Sequence, residues 1–143
     1  MQSTPNITIT IETTILAPIE KVWDCFTLPA HITQWNNASP DWHTPHAEND
    51  LRVAGKFLYW MEAKDGSFGF DFVGTYDEVH SHQLIAYTLG DNRKVSVHFS
   101  TKGNQTHITE NFEAETMNSV DMQRGGWQAI LDNFKGYVEG ISF

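Results

Sequence analysis

At 143 residues the chain is long enough for one domain, burying roughly 70% of the surface its unfolded form would expose, and too short for two ordinary ones. Nine basic against 18 acidic residues leave a net charge of -9, which repels phosphate backbones and anionic headgroups and argues against nucleic acid and membrane surfaces as partners. The single cysteine, Cys25, rules out an intrachain disulfide and suits a reducing compartment.

Met1 to Asn6 is polar, without a signal-like segment, and reads as a disordered start to a single domain over residues 7–143. No apolar run reaches membrane-spanning length, so the expected location is the cytoplasm, without membrane insertion. Ile7, Ile9, Ile11 and Ile15 alternate with Thr8, Thr10, Glu12 and Thr14, the pattern of a half-buried strand. Ala17-Pro18 breaks it, and Pro18 suits a helix's first turn. Ile19, Val22, Trp23 and Phe26 follow at helical spacing, and Pro29 starts a second short helix carrying Ile32 and Trp35.

Asn36 to Glu48, with Pro40 and Pro45 amid polar residues, is expected to be an irregular loop in which Trp42 needs cover. Asp50 to Val53 reads as a short strand before a turn or bulge at Gly55. Phe57, Tyr59 and Met61 then alternate with Leu58, Trp60 and Glu62 up to a hairpin signal at Asp65-Gly66. Phe68, Phe70, Phe72 and Tyr76 share a parity, interrupted at Gly74 by an expected bulge or close approach of a helix. Leu84 to Leu89 is a further strand, Asp91-Asn92 turns the chain into Val95, Val97 and Phe99, and Lys102-Gly103-Asn104 turns it into Ile108 and Phe112.

Ser119 to Ile141 is the one long helix. Trp127, Ile130, Leu131, Phe134, Val138 and Ile141 form its apolar stripe, and Ser119 is its N-cap, with Met122 where a full capping box would carry Glu. Short turns make the successive strands antiparallel. The predicted fold is therefore α+β: a curved antiparallel sheet of about six to seven strands gripping a long C-terminal helix, with two short helices after the first strand.

That order of elements, with Ala17-Pro18-Ile19-Glu20-Lys21-Val22-Trp23, Trp35 to Asp41, Asp50 to Phe57, Asp65-Gly66, Gly74 to Val79, and Gly126-Trp127 followed by Leu131, resembles the START-like superfamily. Within it the chain is similar to small stand-alone members of the branch named after the activator of the heat-shock chaperone's ATPase. The resemblance implies a helix-grip fold with a hydrophobic cavity between sheet and long helix. It also implies, as alternatives, a lipid-, sterol- or polyketide-binding protein, a chaperone partner, or a cyclase or hydrolase.

The candidate ligand-binding wall is Trp35, Phe57, Tyr59, Met61, Phe70, Phe72, Tyr87, Val97, Phe99, Ile108 and Phe112, facing Trp127, Ile130, Leu131 and Phe134. Two readings stay open, a void for a ligand or a filled aromatic core. Gly125-Gly126 removes side-chain volume from the helix and needs a reason, either close backbone approach or a local kink. Glu110 has the parity of Ile108 and Phe112 and so faces inward, while Gln123 and Arg124 sit one turn before Trp127. An unpaired inward carboxylate has a raised pKa and can orient a guest or act as acid or base; the alternatives are a solvated rim position or an ion pair with Arg124.

His43 with His46 and His80 with His82 lack a clear third ligand, so no metal is expected, and His98 should face outward. No nucleophile elbow or Gly-rich phosphate loop occurs and Cys25 falls inside a helix, so no catalytic residue is assigned and no cofactor is expected. The leading expectation is a small apolar or amphipathic ligand bound by a monomer or weak homodimer. A chaperone-type interaction module and a cyclase- or hydrolase-type enzyme are the alternatives.

Overall fold

Period-two strands with one apolar face and a single striped helix leave the chain few ways to bury its rings, and the computed structural model, which describes residues 7–141, takes one of them. The expected disorder of Met1 to Asn6 lies outside the described residues. The elements run β1 (Thr8–Ile15), α1 (Ile19–Thr27), α2 (Pro29–Trp35), β2 (Trp42–Asn49), β3 (Lys56–Ala63), β4 (Gly69–His80), β5 (Leu84–Leu89), β6 (Lys94–Lys102), β7 (Gln105–Glu113) and α3 (Val120–Gly140). The seven strands form one curled antiparallel sheet in the order β1-β7-β6-β5-β4-β3-β2, an α+β helix-grip arrangement.

From β2 to β7 the sheet is a meander, and the α1–α2 pair fills the crossing from β1 to the far edge. β1 returns beside β7 with Ile9 opposite Phe112 and Ile11 opposite Glu110. Its outer edge is covered by α3. Gln128 donates to the Glu12 carbonyl at 3.2 Å, Lys135 to the Thr14 carbonyl at 2.9 Å, and the Leu16 N–H donates to the Glu139 carboxylate at 2.8 Å. The Ser119 hydroxyl caps α3 by accepting from the Met122 N–H at 3.1 Å. Gln123 folds back into the β7–α3 loop, accepting from the Glu115 N–H and donating to the carbonyls of Glu115 and Asn118.

Four local expectations are corrected. The stretch expected as an irregular loop contains β2, an edge strand in which Pro45 falls between His43 and His46, where the register with β3 shifts. Proline is tolerated there because the outer edge needs no donor. Asp50 to Val53 is a bend and turn instead of a strand, closed by Ala54 at φ 68. Gly74 meets the Phe57 ring and not a helix: an added Cβ would lie 2.5 Å from that ring. Gly125 and Gly126 sit in an unbroken helix, and a Cβ on either meets nothing within 4 Å, so no close approach explains them. Trp42 has its cover, from Phe68 and Phe70, and His98 is exposed.

The tightest part of the interior lies under β1, β7 and β6, where Ile9, Val97, Ile108, Phe112, Phe134 and Val138 are fully buried. Rings from α1 and α2 lock it: Trp35 lies 4.7 Å from Phe134, and Phe26 sets its edge against Phe99 and Phe134. The other half of the bowl, under β3 to β5, is not filled in this way.

Candidate functional site

Between β3–β5 and α3 lies a pocket of about 270 Å³. Its floor follows from strand register, which sets Met61 opposite Phe70, Tyr59 opposite Phe72, Phe57 opposite Gly74 and Tyr76 opposite Tyr87. Alternation sends one side chain of every two inward, so each strand contributes rings to the same face. Gly74 lets the Phe57 ring lie flat across β4, where it comes within 4.9 Å of Tyr87 and 5.0 Å of Tyr59. Trp127, Ile130 and Leu131 of α3 form the roof, and Phe26, Thr27, Trp35 and Asn36 close the end. Trp127 is the partition: its ring stacks on Phe112 at 3.9 Å on the packed side and turns an edge to Phe72 at 6.1 Å on the open side.

Of the residues predicted from sequence, Trp35, Phe57, Tyr59, Met61, Phe70, Phe72, Tyr87, Glu110, Trp127 and Leu131 come together around this space, as does Ile130. Val97, Phe99, Ile108, Phe112 and Phe134 do not line it; they belong to the packed half and meet other side chains. Arg124 is also outside, exposed and paired with Asp121 at 3.2 Å, so the alternative of an ion pair with Glu110 is not realised. In the helix's first turns Gln123 takes the inward place, which leaves Arg124 to solvent.

Sequence reasoning missed Phe26, Thr27, Asn36, Tyr76, Ile85 and Arg93 as lining residues. Tyr76 and Ile85 carried a usable signal, the shared parity with Phe72 and Tyr87. Arg93 carried none: it sits in a turn, and its guanidinium reaches Asp91 at 2.8 Å and the Glu113 carbonyl at 3.3 Å.

Glu110 is the anomaly in this wall. It is 8% exposed, with Ile11 and Val97 opposite it on the two neighbouring strands. Its carboxyl forms no hydrogen bond or ion pair among the described residues, yet no fully enclosed side-chain oxygen or nitrogen lacks a partner, so its accessible surface opens onto the pocket it lines. Burial alone pushes its pKa up to about 7. The Tyr87 hydroxyl is pushed well above its ordinary value, by burial first and by the Glu110 charge second. Burial likewise raises Tyr59 and Tyr76, whose hydroxyls adjoin; Tyr76 donates to the Asn49 side chain.

The histidines serve elsewhere. His43 bonds Glu62 at 2.9 Å, His46 bonds Glu48 at 2.7 Å, and His80 lies 3.6 Å from Glu78. Among the described residues no three His, Cys, Asp or Glu side chains cluster as metal ligands do. The Cys25 thiol is buried and pushed up to about 11 by desolvation, the state of an inert core thiol. No helix among the described residues is long and apolar enough to cross a membrane. The site can therefore hold an apolar body among rings and offer it one carboxyl group.

Residues 16–139 match the family model described as Activator of Hsp90 ATPase homolog 1-like protein. The solution structure of an AHSA1-like protein from Aeromonas hydrophila is 45% identical, with a TM-score of 0.88 over 93% of this chain and 92% of that one. A solution structure from Cytophaga hutchinsonii is 52% identical, with a TM-score of 0.81 over 92% of each chain. A crystal structure from Chromobacterium violaceum shares the fold at 20% identity, with a TM-score of 0.80 over 94% of this chain and 98% of that one. No curated protein matches the chain.

Proposed function

The chain belongs to the Activator of Hsp90 ATPase homolog 1-like family, and from that footing we propose that it binds a small hydrophobic or amphipathic molecule in the pocket between sheet and α3. One observation carries the reading: under β1, β7 and β6 the inward side chains close on one another and on α3, whereas the rings of β3 to β5, in contact with each other along the sheet, leave about 270 Å³ beneath α3, bordered by Phe57, Tyr59, Phe72, Tyr87 and Trp127. That volume lies near the lower end for ligand sites, which run from about 300 Å³ upward, and suits a compact guest better than a long-chain lipid. Burial of the guest supplies affinity at about 25 cal/mol per Å² of apolar surface, and the polar groups supply orientation. The protein works in the cytoplasm as a monomer or weak homodimer.

A second reading, a docking module for a chaperone or other protein, is favoured by one patch. Phe68 and Phe70 are 62% and 40% exposed and cluster with Trp42 beside the pocket's β3–β4 side. A titration with compact sterols, aromatic polyphenols and short lipids, followed by backbone amide shifts, separates the two. Ligand binding moves the resonances of Phe57, Tyr87 and Trp127 together. A panel that leaves all three unmoved refutes the pocket reading and leaves the aromatic patch as the working surface.

A further inference from the structure

We propose that the polar end of the guest is a protonated amine, seated on the Glu110 carboxylate with its cationic head among the pocket's aromatic rings. This rests on the reading of the pocket as a ligand site and specifies which chemistry that site selects.

A carboxyl group held on an apolar wall without a partner is costly, and the cost falls when a partner arrives. Glu110 is in that state: 8% exposed, flanked across the ladder by Ile11 and Val97, and unbonded among the described residues. The cation lining the pocket, Arg93, is already committed to Asp91 at 2.8 Å and to the Glu113 carbonyl. Arg124, the other basic residue sequence placed nearby, turns to solvent and Asp121. The described residues thus supply Glu110 with no ion-pair partner, and the space beside it is open to a guest.

The rest of the lining points the same way. Phe57, Tyr59, Phe72, Tyr87 and Trp127 present ring edges and faces around one small volume, and aromatic faces attract a cation, most strongly once water is excluded. An ammonium group meets favourable partners in both the rings and the carboxylate. A guest ending in a carboxylate would instead set like charges together in a desolvated site. A hydroxyl donates one hydrogen bond and carries no charge, so it ranks between the two.

A matched series with one aromatic body tests this: tryptamine, tryptophol and indole-3-acetate, titrated by calorimetry and amide shifts at about pH 8, where the carboxyl is ionised. Wild-type protein is expected to bind tryptamine about tenfold or more tightly than tryptophol, with indole-3-acetate weakest. Glu110→Gln, nearly isosteric and relieved of a buried charge, is expected to lose about tenfold for tryptamine and to hold tryptophol within about threefold. An amide spectrum of the variant confirms its fold. Equal affinities across the series, or a variant that keeps the amine preference, overturns the amine assignment and leaves the pocket reading standing. Absence of binding by all three also overturns the amine assignment, while the pocket reading stands or falls on the sterol, polyphenol and lipid panel.

Discussion

Glu110 sets a measurable pH dependence. Its carboxyl is pushed from 4.5 to about 7 by burial in the folded chain, so the native state binds the proton more tightly than the unfolded one. The stabilisation is complete below pH 4.5 and is lost as pH rises through 7, the folded value. At about 1.4 kcal/mol per pH unit this difference is about 3 kcal/mol, flat at higher pH. Tyr87, the ionisable group facing it, stays neutral over that window because burial holds its pKa far above it. Glu110→Gln removes the titration. Denaturant unfolding at several pH values is expected to show variant and wild type diverging between these limits, the variant being the more stable at high pH. The inward parity of Glu110 was legible from Ile108 and Phe112 on either side. Its lack of a partner was not, because Arg124 occupies a suitable helix position and only the fold of Gln123 into the loop shows that it turns away.

At the level of elements, strands with one buried face declare themselves by alternation, and β1, β3, β4, β6 and β7 were all visible on that basis, with β5 read as a further strand between turns. β2 was hidden by Pro45 and a mostly polar composition, since an edge strand bulged between His43 and His46 need not alternate cleanly. The long helix was legible from its stripe and Ser119 cap, but the clasp at its start was not. Gln123 is buried and makes three hydrogen bonds to the loop before it, the longest 3.1 Å. Gln123→Ala leaves the Glu115 N–H and two carbonyls to find other partners, and should cost about 1–3 kcal/mol by chemical denaturation. Amide exchange should show the loss centred on residues 115–118, with the sheet largely unaffected.

The whole interior is divided, and the division was the least legible feature in the sequence. Phe112 and Phe72 are both inward aromatics on strands, and nothing in their local pattern distinguishes them. Trp127 does, by stacking on one and only edging the other. Which rings fill space and which border it depends on where α1 and α2 place Phe26 and Trp35, contacts made across long stretches of chain. This asymmetry has a dynamic consequence. Backbone amides of β6 and β7, against the filled half, should exchange with solvent only on global unfolding, whereas those of β3 should open locally at lower free energy. Hydrogen exchange read by NMR checks it, and ligand occupancy should narrow the gap by slowing β3.

A sheet usually offers its outermost strands as templates for a stranger's backbone. Here the side chains of α3 buckle down one margin, engaging the carbonyls of Glu12 and Thr14, and Pro45 with its bulge roughens the other. Neither rim gives an incoming chain a straight run of free donors and acceptors to zip onto. The protein can thus keep a partly unfilled interior without inviting fibrous growth from its borders.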